Sequence, residues 1–193
     1  MLTLRPVVEV PDVDPARRWP TRTPTPGWWL TLHGGCAAQE VELFLACLAA
    51  HVDVEPPAGR DELVDGLLRE ELLLVAGGLR LDDRDTGATV SPGCCAGLED
   101  WREWTAALDG GTPWLGHDPG PRVEVEGDLL RVWQHGGPQP RGPYVELSRP
   151  RLAELLRSAQ ADLSGFLARV DAWVRITAPL ELAGGGPHPR YLT

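Results

Sequence analysis

The amino-acid sequence predicts an α+β fold, in which an antiparallel β-sheet is covered by helices. Segment 121–147 alternates apolar and polar residues on both sides of Gly127 and Asp128, a pattern typical of a β-hairpin, and then continues into a third strand. From Ser148 the period changes from two residues to 3.6, which indicates a helix from Arg149 to Val174. We therefore expect a three-stranded meander over 121–147 whose face is covered by a long C-terminal helix.

The N-terminal half predicts further strands and two shorter helices. Segment 2–10 has the composition of a first strand, and 28–33 alternates up to a double glycine, which is typical of a strand that ends in a turn. Apolar residues at helical spacing predict helices over 39–51 and 59–71. Segment 72–83 predicts two short strands around its two glycines, with a helix that continues to Val75 as the alternative.

Length and composition predict one domain over 1–193. The chain has 193 residues, of which 42% are hydrophobic, so it can bury one sizeable core. Segment 11–27 contains five prolines and cannot form a regular helix or a sheet ladder. We interpret it as a proline-rich connector.

The charge of the chain narrows the classes of partner. The net charge is −10 and all 18 basic residues are arginine. Nucleic-acid binding needs concentrated positive charge and is therefore not expected, whereas an acidic surface favours a basic protein partner. The N-terminal sequence lacks a basic segment followed by an apolar run, and no segment has the roughly 20 apolar residues that span a bilayer. We expect a cytoplasmic protein that binds no membrane and no cofactor.

The adjacent thiols of Cys94 and Cys95 form the main chemical candidate. They precede a predicted amphipathic helix, and the amides at a helix N-terminus can lower the pKa of a cysteine. Four residues at helical spacing predict the buried side of that helix: Leu98, Trp101, Thr105 and Leu108. A thiol with His117 or His33 could form a catalytic pair, and we consider Cys94, Cys95 and His117 the catalytic candidates.

Two other interpretations of the cysteine pair remain open. In the first, Gly93 makes a tight turn and the two thiols pack beneath the helix as small buried side chains. In the second, the thiols bind a metal ion together with His117 or His33. The chain lacks the paired two-cysteine knuckles of a zinc module, so we predict no metal.

Tryptophan is abundant, with eight residues in the chain. Strand and helix periodicity leaves Trp29, Trp104 and Trp133 least committed to the interior. Exposed tryptophans favour protein interfaces, so we take these three as candidate binding residues.

One part of the sequence resembles a known class of proteins. The stretches "PGCCAGLEDWREW" and "PWLGHDP", followed by "RVW", resemble a group of small actinobacterial proteins. The strand-rich body that closes with "LLRSAQADLSGFLARVDAW" is similar to immunity proteins of polymorphic toxin systems. The resemblance covers about 91–174 and implies a protein partner such as a basic toxin.

The sequence therefore leads to two functional hypotheses. The first is a cytoplasmic protein-binding protein of immunity or inhibitor type that masks a basic partner. The alternative is a thiol- or metal-dependent enzyme or sensor that uses Cys94 and Cys95 at the N-terminus of a helix.

Overall fold

The computed structural model describes residues 1–11, 29–51, 60–117, 119–137, 140 and 142–177. The predicted connector over 11–27 lies, apart from Pro11, outside the described residues. The described part contains seven strands, three α-helices and one long 3₁₀ helix. In chain order the elements are β1 (Leu2–Glu9), β2 (Trp29–Thr31), α1 (Ala38–His51), α2 (Arg60–Arg69), β3 (Gly77–Asp83), β4 (Thr89–Val90), the 3₁₀ helix (Leu98–Asp109), β5 (Arg122–Glu126), β6 (Leu129–Trp133), β7 (Tyr144–Ser148) and α3 (Arg149–Thr177).

The strands form two antiparallel sheets, which confirms the predicted α+β class. Strands β5, β6 and β7 follow one another in the three-stranded sheet, and β5 and β6 turn at Gly127 and Asp128 as predicted. The other sheet has the order β2-β1-β3-β4, with β1 at its centre. This pairing of β1 with β3, from Leu2 opposite Asp83 to Val8 opposite Gly77, was not predicted.

Segment 72–83 contains one strand and no continuation of the preceding helix. Helix α2 ends at Arg69 and β3 begins at Gly77, so the predicted strand after the glycines is confirmed, whereas the predicted strand before them and the alternative of a helix to Val75 are wrong. A side chain at Gly77 would lie 2.4 Å from the Val7 carbonyl oxygen, and Gly78 has a φ of +141°. Gly77 therefore lets β3 approach β1 closely, and Gly78 supplies a backbone conformation that side chains disfavour, with Pro92 next to it. The two glycines do not separate two strands.

The helix after the cysteine pair is a 3₁₀ helix, and its buried side differs from the predicted one. In a 3₁₀ helix residues three positions apart share a face, whereas the prediction used a spacing of 3.6. The structure consequently buries Trp104 and Ala107 and exposes Thr105. The Asp100 carboxylate accepts a hydrogen bond from Gly97 N (2.9 Å) at the start of this helix, and Gly110 ends it with a φ of +83°.

Helix α3 connects two hydrophobic clusters. Its first half packs with the three-stranded sheet, β3, β4 and the 3₁₀ helix, through residues such as Leu152 and Leu156. Its second half packs against α1, α2, β1 and β2, where Phe166 and Trp173 are buried. The helix from Arg149 is confirmed, but it covers both sheets instead of the meander alone. Leu167 of this helix is 66% exposed.

Two glycines allow the loop before α1 to contact α3. A Cβ atom on Gly165 would lie 2.9 Å from the Cα atom of Gly34. The backbones of the loop and the helix therefore touch at this point. In the part of the chain that the structure describes, no helix is both long and apolar enough to cross a membrane.

Candidate functional site

The cysteine pair lies on an exposed loop that backbone hydrogen bonds hold in place. Gly93 N donates to the Leu115 carbonyl (2.9 Å), and His117 N donates to the Cys94 carbonyl (3.0 Å). Both thiols are free and exposed, and the two Sγ atoms are 3.4 Å apart. The expectation that the thiols pack beneath the helix is therefore wrong.

Cys95 has a left-handed backbone and a thiol that resists ionisation. Its φ of +63° is the only positive value at a non-glycine residue in the described part of the chain. The hydrogen bond with the Cys94 thiol raises the pKa of Cys95, and the charge of Cys94 and partial burial raise it further. The expected lowering by the helix N-terminus is therefore not found at Cys95.

The structure brings one of the two candidate histidines to this loop. The His117 main chain is bonded to Cys94, and its exposed ring packs edge-on against Trp114 at 5.7 Å. His33 lies before α1, where its Nδ1 accepts a hydrogen bond from Gly35 N (3.0 Å). Among the described residues no group of three or more His, Cys, Asp or Glu side chains is arranged to hold a metal ion.

The three candidate tryptophans lie in three different settings. Trp104 is only 3% exposed, so the expectation that it lies outside the core is wrong. Trp29 is partly buried at the start of β2. Trp133 is partly buried on the outer face of the three-stranded sheet, where its ring centroid is 4.6 Å from that of Tyr144.

The outer face of the three-stranded sheet consists of charges that pair with one another. Arg131 lies between Glu146 (3.0 Å) and Glu126 (3.5 Å), and Trp133 Nε1 donates to Glu124 (3.3 Å). The exposed ion pairs contribute little to stability because water and salt screen them. Their mutual pairing leaves this face less charged than its composition indicates.

A separate apolar groove, which the sequence did not predict, lies between α1, the 3₁₀ helix and α3. It encloses about 520 Å³ and is open to solvent. Nine of its thirteen lining residues are apolar: Phe44, Leu48, Leu73, Val75, Leu98, Trp101, Leu163, Phe166 and Leu167. Leu73 and Leu167 are 43% and 66% exposed, so the groove presents apolar side chains to water.

The rim of the groove carries a few polar and charged groups. Glu99, Arg102, Gln160 and Ser164 are the polar lining residues. The Arg102 guanidinium lies 4.6 Å from the centre of the Trp101 ring, a position typical of a cation–π contact.

Comparisons with known proteins identify no relative of this chain. No family model matches the chain, no curated protein matches it, and no solved structure matches it. The groove and the cysteine loop are therefore the features on which its function can be argued.

Proposed function

We propose that this chain is a cytoplasmic protein-binding protein of immunity or inhibitor type, which masks a basic partner by holding an apolar helix of that partner in the groove. The observation that carries the proposal is the exposed apolar groove on a chain of net charge −10. Solvent-exposed apolar surface of this kind marks interaction sites on proteins that are otherwise polar outside.

The shape of the groove supports a helical occupant. It is bounded by two α-helices and a 3₁₀ helix, and its apolar lining includes Leu73 and Leu167. An amphipathic helix binds such a surface through apolar anchors three or four residues apart. Leu167 is more exposed than Leu73, the other exposed apolar residue of the groove. An apolar anchor of the partner that packs on Leu167 would therefore remove apolar surface from water.

The charges near the groove support a basic occupant. Glu70 and Glu71 are both exposed and directly precede Leu72 and Leu73, and Glu99 lines the groove itself. The single lining arginine, Arg102, already lies over Trp101. Lysines or arginines beside the apolar anchors of a partner helix would therefore meet carboxylates, which speeds encounter and fixes orientation.

The test compares two variants of the same helix. Leu167 and Ile176 are both exposed apolar residues of α3, but only Leu167 lines the groove. Wild type, Leu167→Lys and Ile176→Lys are each used to capture partners from the native host at low and moderate salt. We expect a basic protein that wild type and Ile176→Lys retain and that Leu167→Lys loses, with less captured as salt rises.

Two outcomes would contradict the proposal. One is a set of captured proteins that does not differ between Leu167→Lys and Ile176→Lys. The other is a purified wild-type chain that sediments as a dimer and becomes monomeric in Leu167→Lys, because the groove would then hold a second copy of the chain.

A further inference from the structure

The cysteine loop has three features that together indicate thiol chemistry. Cys94 and Cys95 are adjacent and exposed, and their Sγ atoms are already 3.4 Å apart. Cys95 adopts a left-handed backbone, which is uncommon for a non-glycine residue. Ala96 N donates to the Gly93 carbonyl (3.2 Å), so Cys94 and Cys95 are the central residues of a tight turn, and the left-handed conformation of Cys95 belongs to that turn.

The loop is held on both sides of the pair. Gly93 and His117 form main-chain hydrogen bonds that link the loop to 115–117, and Ala96 O accepts from Gly77 N (3.0 Å). Because the flanking residues are fixed, the two thiols are presented side by side in the folded protein. The cysteines at Cys36 and Cys47 are buried and cannot reach an oxidant in solution.

We propose that Cys94 and Cys95 are a reversible redox modification site, which a low-molecular-weight disulfide oxidises to a disulfide between the two neighbours. The thiolate of one cysteine attacks a sulfur of the small disulfide and releases one thiol. The neighbouring thiol then loses its proton and attacks the protein sulfur of the mixed disulfide, which releases the second thiol. The protein loses two protons and two electrons, and the small disulfide gains both as it becomes two thiols.

The disulfide between these neighbouring cysteines is expected to be easily reduced again. Consecutive Cα atoms are about 3.8 Å apart, which is shorter than the usual separation in disulfides of about 4.4–6.8 Å. Strained and exposed disulfides have more oxidising potentials than structural ones and are the labile, regulatory type.

The experiment follows the mass of one peptide. Reduced protein is incubated with oxidised glutathione, quenched with acid and digested with trypsin, which releases Asp85–Arg102 with both cysteines and no others. In wild type we expect this peptide to lose two hydrogen atoms without a glutathione adduct, and dithiothreitol to restore its mass. In Cys94→Ser and Cys95→Ser we expect one stable glutathione adduct, because the second thiol is missing. Cys47→Ala is the control and should match wild type.

Any of three results would overturn the proposal. The first is a wild-type peptide that keeps a glutathione adduct as its final product. The second is a wild-type peptide that does not react, and the third is a disulfide that links two chains.

Discussion

The position of Trp104 allows a direct test of the 3₁₀ helix. Trp104 is 3% exposed, whereas its neighbour Thr105 is exposed and donates a hydrogen bond from Oγ1 to the Arg102 carbonyl (2.7 Å). Truncation of a buried tryptophan to alanine costs about 3–5 kcal/mol, because its contacts are lost and a cavity remains. A protein of 150–250 residues loses about 2–4 °C in Tm per kcal/mol, so Trp104→Ala should lower Tm by about 6–20 °C.

The assay is thermal and urea unfolding followed by circular dichroism. Thr105→Ala is the matched control and should change the free energy of unfolding by less than about 0.5 kcal/mol, because surface substitutions have small effects. Trp104→Leu keeps part of the apolar volume and should fall between wild type and Trp104→Ala. A Thr105→Ala variant that is less stable than Trp104→Ala, or a Trp104→Ala variant with unchanged Tm, would contradict the buried side that the structure gives this 3₁₀ helix.

Two further predictions concern the interior. Gly165→Ala should lower Tm although alanine normally favours a helix, because its Cβ would meet Gly34; Ser164→Ala, at an exposed neighbouring position, should not lower it. Burial raises the pKa of Cys47 from 9.0 to about 12. Its contribution to stability is therefore complete below pH 9 and is lost as pH rises toward 12, by about 1.4 kcal/mol per unit. Urea titrations of wild type and Cys47→Ala at several pH values check this. Equal slopes of the free energy of unfolding against pH for the two proteins would contradict it.

Local sequence patterns predicted the individual strands and helices of this fold better than they predicted which strands pair. The hairpin around Gly127 and Asp128 and the helix from Arg149 follow from spacing alone, because neighbouring residues decide both. The pairing of β1 with β3 joins residues about seventy positions apart, and no local signal encodes such a contact. Gly77 could have indicated it, since a glycine within a strand often marks a close approach of another backbone.

The candidate site was harder to predict because it depends on exposure. The adjacent cysteines were recognised, but whether they lie inside or outside depends on the loop that 115–117 holds in place. Trp104 was misplaced because a spacing of 3.6 was applied to a 3₁₀ helix. The groove was missed because three elements distant in sequence form it. Leu72 and Leu73, which follow the end of α2, could have indicated the groove, because apolar residues outside a helix or strand are not placed in the core by its periodicity.

The measurement that tests the central claim most directly is the affinity of purified partner for three forms of the chain. Isothermal titration calorimetry compares wild type, Leu167→Lys and Ile176→Lys under the same salt conditions. A residue at the centre of an interface contributes about 2 kcal/mol or more, so Leu167→Lys should weaken binding by at least about 30-fold. Ile176→Lys, which lies outside the groove, should bind within about threefold of wild type. Equal affinities for the two variants would contradict the assignment of the groove as the binding site.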